Sequence, residues 1–381
     1  MESHYVYKSA YPIFLVSKIL GLCGLNLDTT KGYTKSVWAW LWCFSLFILY
    51  LFCLVYYLSQ SSTAVITKEQ WMVETVTTLN TFTRVATLVL LTVTTLSTSQ
   101  KNIRLLQRIS EIDDDLKRLK TVNVKLKSHK CNKYFKIVAV CQVIHYIYYL
   151  IIHYVQLHDV CFIVVTTVAT LNSGIVLHQF SLVTWLLKLR FQWINEDFIE
   201  FYNKYKKDHL FKTKEKSATH YIDALSTIHN KIRNIATTLQ KNYAPMNLII
   251  ILKAAVSLTT TVHLMLDGHF IHSHEDKKLI DQVKEVSSAF TNVVYIALLT
   301  LTCTWTAREA NRLATLQLQL PLKSRLVAMR VWNFVLNSKH DKLNFTCFNL
   351  FTIDEALFRT ILGAVATFSI IILQFGATLQ K

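Results

Sequence analysis

The stretch TILGAVATFSIIILQFGATLQ, residues 360–380, holds 21 residues without a single charge. An α-helix rises about 1.5 Å per residue, so this run spans the roughly 30 Å hydrocarbon core of a bilayer. Six comparable runs precede it, at 37–58, 75–97, 135–157, 160–187, 246–266 and 286–306. Only Arg84, Lys136 and Lys253 interrupt them. Core helices of soluble proteins usually stay within about 20 residues and alternate with polar faces. Seven such runs in one chain therefore read as seven membrane crossings.

Composition agrees. Hydrophobic residues make up 52% of the 381 residues, charged residues only 17%, and mean hydropathy is +0.31. Soluble domains carry nearer a quarter charged residues. The net charge of +17 is strongly sided. Counting alternate loops, one side of the membrane receives 33 Lys and Arg and the other 4. The positive-inside rule then puts the N-terminus in the cytoplasm and, after seven crossings, the C-terminus outside. The expected class is all-α: a polytopic protein with long cytoplasmic helix extensions.

The segments follow from that arrangement. Residues 1–36 form a cytoplasmic N-terminal segment and 37–187 the first four crossings. Residues 188–245 make a cytoplasmic helical extension, 246–306 the fifth and sixth crossings, and 307–350 a cytoplasmic lead to the seventh. Residues 351–376 are the seventh helix and 377–381 an outer tail. Within 188–245, Ile222, Leu225, Ile228, Ile232, Ile235 and Leu239 recur at helical spacing and should face a neighbour, with the helix stopping near Pro245. The Asp113-Asp114-Asp115 run reads as a solvated helix face.

Several classes are excluded. The positive charge invites a nucleic-acid reading, but no zinc-ligand spacing, aromatic RNA-binding motif or basic reading helix occurs. There is no P-loop, no GxSxG and no HExxH, so no enzyme chemistry and no cofactor are expected. The eight cysteines show no CxxC and read as small buried hydrophobes. No cleavable leader is expected, since Lys18 breaks the early apolar run and no small-residue cleavage site follows. The group Asp267, His269, His272, His274 and Asp276 reads as a solvated loop rather than a metal site. The sequon at Asn344 falls on the cytoplasmic side and should stay unmodified.

Polar groups inside a membrane helix are costly and tend to face protein or water. Arg84, about ten residues into the second run, therefore points to a solvated pocket or an ion pair. The nine threonines of that run, Thr78 among them, should mostly bond their own helix's carbonyls four residues back. On the third run Tyr146, Tyr149, His153 and Gln156 share one face. With Thr167 and Asn172 on the fourth run, His263 on the fifth, and Asn292 and Tyr295 on the sixth, they outline an outward-open pocket for a small polar or amphipathic ligand.

The last run carries the most specific pattern. Thr367-Phe368-Ser369-Ile370-Ile371-Ile372-Leu373-Gln374-Phe375 resembles the signature of insect gustatory receptors: Thr-Tyr, five hydrophobic residues, then Gln-Phe at the end of the seventh helix. The preceding Phe351-Thr352-Ile353-Asp354-Glu355 resembles that family's approach to the same helix. Length and inverted topology also fit. Phe368 departs from the family's Tyr, and Ser369 from its first hydrophobic residue. Family sugar receptors often carry an acid where Ser369 stands, which argues against a sugar ligand.

The resemblance implies a homotetrameric, ligand-gated, non-selective cation channel in the plasma membrane of a sensory neuron. Four seventh helices would surround one pore passing monovalent and divalent cations, opened by a small tastant of bitter or plant-derived type. Ala364, Thr367, Ile371, Gln374 and Phe375 would line the gate, an apolar constriction closing by dewetting. Asp354 and Glu355 would stand at the inner mouth, unless Glu355 instead pairs with Arg359. A sugar-gated member, an odorant-type channel, a G-protein-coupled chemoreceptor and a transporter are the alternatives.

Overall fold

The computed structural model describes residues 4–20, 22, 25–28, 32–35, 37–61, 71–119, 147, 160–207, 215–266, 275–315 and 324–379. Eight α-helices carry these residues: α1 His4–Ile19, α2 Val37–Ser61, α3 Trp71–Arg118, α4 Val160–Lys207, α5 Glu215–Leu266, α6 Glu275–Ala310, α7 Arg325–His340 and α8 Glu355–Leu379. Two short antiparallel hairpins interrupt them. The first pairs β1 Leu25–Asp28 with β2 Gly32–Lys35, and the second pairs β3 Thr346–Cys347 with β4 Phe351–Thr352. Six of the seven expected crossings fall on α2, α3, α4, α5, α6 and α8; of the run 135–157 only Ile147, helical and exposed, is among the described residues.

Helix length decides the architecture. α3 and α4 hold 48 residues each and α5 holds 52. At about 1.5 Å per residue these exceed 70 Å, more than twice the roughly 30 Å of a bilayer core. The surplus must leave the lipid, and there it packs as a bundle by ordinary amphipathic burial. Ile222, Leu225, Ile228, Ile232, Ile235 and Leu239 of α5 are all buried, as their spacing requires. Phe191 and Phe198 of α4 meet His229 of α5 and Phe334 of α7 edge to face, at ring-centroid distances of 5.1–5.5 Å.

At the membrane end the pattern inverts. α2 exposes Trp38, Trp40, Trp42, Phe44, Ile48, Leu49, Phe52 and Val55. In water such a surface would aggregate, whereas in lipid it is the ordinary outer face. Tryptophans clustered at one helix end suit the headgroup level. α1, which the sequence left unassigned, continues through Pro12 and docks on the bundle. There the Gln179 amide donates to Ser17 Oγ at 2.5 Å, and Trp42 Nε1 donates to the Ile19 carbonyl at 3.0 Å.

Three local expectations need correction. The aspartate run is not a solvated face. Asp113 is buried and accepts from Arg190 of α4 through Nε at 2.9 Å and Nη2 at 2.7 Å. Asp114 pairs with Lys117, and Asp115 with Lys231 of α5. Lys117 is a neighbour one turn along α3, but Arg190 and Lys231 come from other helices, beyond the reach of local spacing. Second, α5 does not stop near Pro245 but runs unbroken from Glu215 to Leu266. Packing on both sides, with Ala244 and Met246 buried, holds the helix where proline removes one backbone bond. Third, Glu355 pairs with Arg308 of α6 at 3.0 Å rather than with Arg359.

The Arg190–Asp113 pair also receives support from the Leu186 carbonyl, which accepts from Nη1 at 2.9 Å, and from the Trp193 ring 5.3 Å away. Removing one member strands a buried charge, at a cost of about 3–5 kcal/mol, whereas replacing both with apolar groups can be near neutral. Arg190→Met should therefore lower the melting temperature of the detergent-solubilised protein sharply, and adding Asp113→Leu should recover most of the loss. Equal destabilisation by single and double variants would refute the pairing.

His229 gives a second test. Burial, reinforced by the Arg233 guanidinium, pushes its imidazole down to about 3. The unfolded chain takes up a proton near pH 6.5 that the folded bundle refuses, so stability is complete above that pH and falls as pH drops toward 3. Between pH 7 and 5 the loss is on the order of 2 kcal/mol. Thermal melts across that range should show a steeper acid slope for the wild-type protein than for His229→Phe.

Candidate functional site

Midway along the membrane helices, α3, α4, α5 and α6 enclose a small polar cavity. Arg84 of α3, Thr170 of α4, Lys253 and Ser257 of α5, and Ser288, Thr291 and Asn292 of α6 line it. Arg84 and Lys253 are 7% and 3% exposed, so two buried basic groups share one chamber. Counting along the chain explains why they meet. Arg84 lies about ten residues into one crossing and Lys253 eight into another that runs the opposite way, so both reach mid-depth.

The chamber's neutral groups are tied to each other. Asn292 Nδ2 donates to Ser257 Oγ at 3.0 Å and to the Ser288 carbonyl at 2.9 Å. Tyr295 Oη donates to the Thr170 carbonyl at 3.3 Å. Lys253 Nζ donates to Ser173 Oγ at a long 3.4 Å. Among the described residues no carboxylate lies within ion-pair reach of Arg84 or Lys253. Glu285, the acid on the neighbouring stretch of α6, accepts from Thr261 Oγ1 at 3.0 Å. The volume open to the centre of a water molecule is about 10 Å³, room for about one water.

The expected ligand residues divide. Arg84 and Asn292 line the cavity, and Tyr295 borders it through Thr170. Thr167, Asn172 and His263 are buried nearby on α4 and α5, and the Thr167 hydroxyl, both Asn172 amide atoms and both His263 ring nitrogens lack a partner among the described residues. Thr78 is exposed on the outer flank of α3. Tyr146, Tyr149 and His153, like Gln156, lie outside the described residues, as do His269, His272 and His274. The threonines of α3 behave as expected: Thr83, Thr87, Thr92 and Thr94 each donate to the carbonyl four residues back at 2.7 Å.

Sequence reasoning missed Lys253 as a site residue, although the signal that singled out Arg84, a charge inside an apolar run, marks it equally. Ser257, Ser288 and Thr291 carried no such signal. A hydroxyl in a membrane helix satisfies itself locally, and only packing brings it to a cavity.

α8 is the other candidate element. It touches the rest of the chain, mainly α5 and α6, along one stripe in which Ile361, Val365 and Ser369 are buried. Ser369 donates to the Val365 carbonyl at 2.8 Å. Ala364, Thr367, Ile371 and Gln374 all lie on the open face, while the side chain of Phe375 is outside the described residues. Phe368, standing where the family signature has Tyr, is 58% exposed.

The start of α8 is fixed by its acids. Asp354 Oδ1 accepts from the Ala356 and Leu357 amides at 3.0 Å each, capping the helix, and Oδ2 accepts from Thr352 Oγ1. Glu355 takes both contacts from Arg308. The hairpin before it turns at Phe348 and Asn349, both with positive φ (50° and 59°), where the Leu350 amide donates to the Cys347 carbonyl at 2.9 Å. That is the mirror-image turn suited to strand twist. The hairpin is anchored on α5, where the Gln240 amide, in the orientation that satisfies both its oxygen and its nitrogen, donates to the Asn344 carbonyl at 3.0 Å and accepts from the Thr346 amide at 3.3 Å. A larger hollow of about 640 Å³ opens beside it between Arg308, Asn311, Arg312, Lys339, Lys342 and Asp354. Several of its polar groups are already engaged: Arg308 by Glu355, Arg312 by Glu309, and Asn311 by the Leu343 backbone.

Comparison with known proteins completes the picture. The family model described as "7tm Chemosensory receptor" matches residues 10–378. No curated protein sequence matches the chain. Among solved structures, the insect olfactory receptor OR5 from Machilis hrabei in complex with eugenol is similar at TM-score 0.74 and 14% identity, covering 98% of this chain and 100% of that one. A second structure of the same receptor gives TM-score 0.73 at 13% identity, with the same coverage. At such identity the likeness concerns the fold.

Loss of a helix cap costs about 1 kcal/mol. Asp354→Ala should therefore lower the melting temperature modestly, while Asp354→Asn, which keeps the acceptor oxygen, should not.

Proposed function

The chain belongs to the 7tm chemosensory receptor family, and from that premise we propose that it is a gustatory receptor: a homotetrameric, ligand-gated, non-selective cation channel opened by a small tastant. As a family member it is a multi-pass membrane receptor of the sensory-neuron surface and not an enzyme. The observation that carries the channel reading is the one-stripe packing of α8. A helix with Thr360, Ala364, Thr367 and Gln374 on its open side is poorly matched to lipid, and four copies facing one axis would give those groups a common, hydratable path.

α6 supplies the link. Its Ser288, Thr291 and Asn292 line the cavity, and its other end holds Glu355 of α8 through Arg308. A ligand that favours one position of α6 would thereby bias α8, provided it binds the open state more tightly than the closed one. Cations would reach the pore from a cytoplasm-facing N-terminal side and an outer C-terminal side, the orientation that the loop charges favour. The tastant class is of bitter or plant-derived type, in keeping with Ser369 where sugar-type members carry an acid.

Expressed alone in cells without other chemoreceptors, the protein should give agonist-evoked cation current without added G protein. A C-terminal tag should be reached by antibody on intact cells. Gln374→Ala should change conductance or the open probability at saturating agonist while surface labelling stays unchanged. Current that requires a G protein, or a tag reached only after permeabilisation, would count against the proposal.

A further inference from the structure

The cavity holds two basic side chains and no acid. Arg84 and Lys253 are both more than nine-tenths buried, on different helices, and line one chamber. Among the described residues Arg84 has no hydrogen-bond or ion-pair partner, and Lys253 has only the long contact to Ser173 Oγ. This contrasts with Arg190, equally buried, whose guanidinium is fully engaged by Asp113 and a carbonyl. Burying one charge without a counter-charge is costly, and bringing two of like sign together adds to the cost. An anion between them reverses both penalties.

We propose that the cavity is a carboxylate site, and that the receptor's ligand is a small organic acid recognised in its anionic form. The assignment deepens the receptor reading and rests on it for the word ligand. A guanidinium fork can hold a carboxylate through two parallel bonds, with the Lys253 ammonium as a compact second charge. Ser257 of α5 and Ser288 of α6 line the same chamber, with hydroxyls placed to donate to the remaining lone pairs. A neutral isostere, such as the matching amide or methyl ester, leaves both basic groups unanswered and is rejected. With space for about one water, the closed chamber must open as the acid enters. Displacement of α6, which carries three of the lining residues and the Arg308 tie to α8, then accompanies binding.

The test uses the full chain in nanodiscs. Acetate, benzoate and cinnamate are each compared with their amides by tryptophan-fluorescence melting, in a gluconate background and then with chloride added. Carboxylates should raise the melting temperature and the amides should not. Lys253→Met and Arg84→Gln should each weaken the apparent carboxylate affinity at least tenfold, and Arg84→Lys should retain part of it. Should either variant fail to reach the membrane, the acid–amide comparison on the unaltered protein still decides. Equal shifts by acids and amides, or by neither, overturn the assignment. So does a shift produced by chloride alone and unaltered by carboxylates, which makes the site a structural anion site. Carboxylate binding that never evokes current, while other compounds do, leaves the anion site standing and overturns its assignment as the receptor's ligand site. Current from neutral compounds, with no carboxylate-specific shift, overturns the anion site and leaves the channel reading standing.

Discussion

Lipid offers no partner to a backbone amide or carbonyl, and everything else in this protein follows from that constraint. Inside the hydrocarbon each segment must satisfy its own backbone, which helices do. Between helices in lipid there is no hydrophobic drive, because the tails are as apolar as leucine. The membrane ends of α2 and α8 therefore remain lightly packed, with apolar side chains outward. Tight packing has to come from the part of the helices that leaves the membrane. There, water restores the hydrophobic effect, and the buried stripe of α5 with the aromatic contacts of Phe191, Phe198, His229 and Phe334 makes a conventional core.

The division has a mechanical consequence. The bundle outside the lipid is cross-linked by the Arg190–Asp113 pair and by Asn195, whose amide donates to the Glu309 backbone and side chain at 2.7 and 3.0 Å. Among the described residues α8 packs along one stripe, and its start is fixed by a cap and one ion pair. A rigid base with a lightly held helix is the distribution of stability expected where one element moves and the others do not. The cavity lies between these extremes, on helices anchored below and freer above.

The polar chemistry divides in the same way. Most threonines of α3 close on their own carbonyls and ask nothing of the fold. Arginine and lysine cannot do that. Arg190 is answered by an acid 77 residues away in sequence; among the described residues Arg84 has no such partner and Lys253 has one long contact to the Ser173 hydroxyl. Among the described residues these two buried basic groups have no acid within ion-pair reach, which is the imbalance the proposed anion would correct.

The sequence by itself determined the class, the number of crossings, the sidedness of charge and the helical extensions, because each depends on composition and periodicity along one segment. The length of charge-free runs and the stripe from Ile222 to Leu239 needed no partner to be legible. The fold alone decided what depends on pairs distant in the chain. It gave Asp113 to Arg190 although the aspartate run looks solvated, carried α5 through Pro245 because its flanks are packed, and gave Glu355 to Arg308 instead of Arg359. It also set Lys253 beside Arg84. Opposed chain directions bring residues 169 positions apart to one depth, a coincidence that no local pattern encodes.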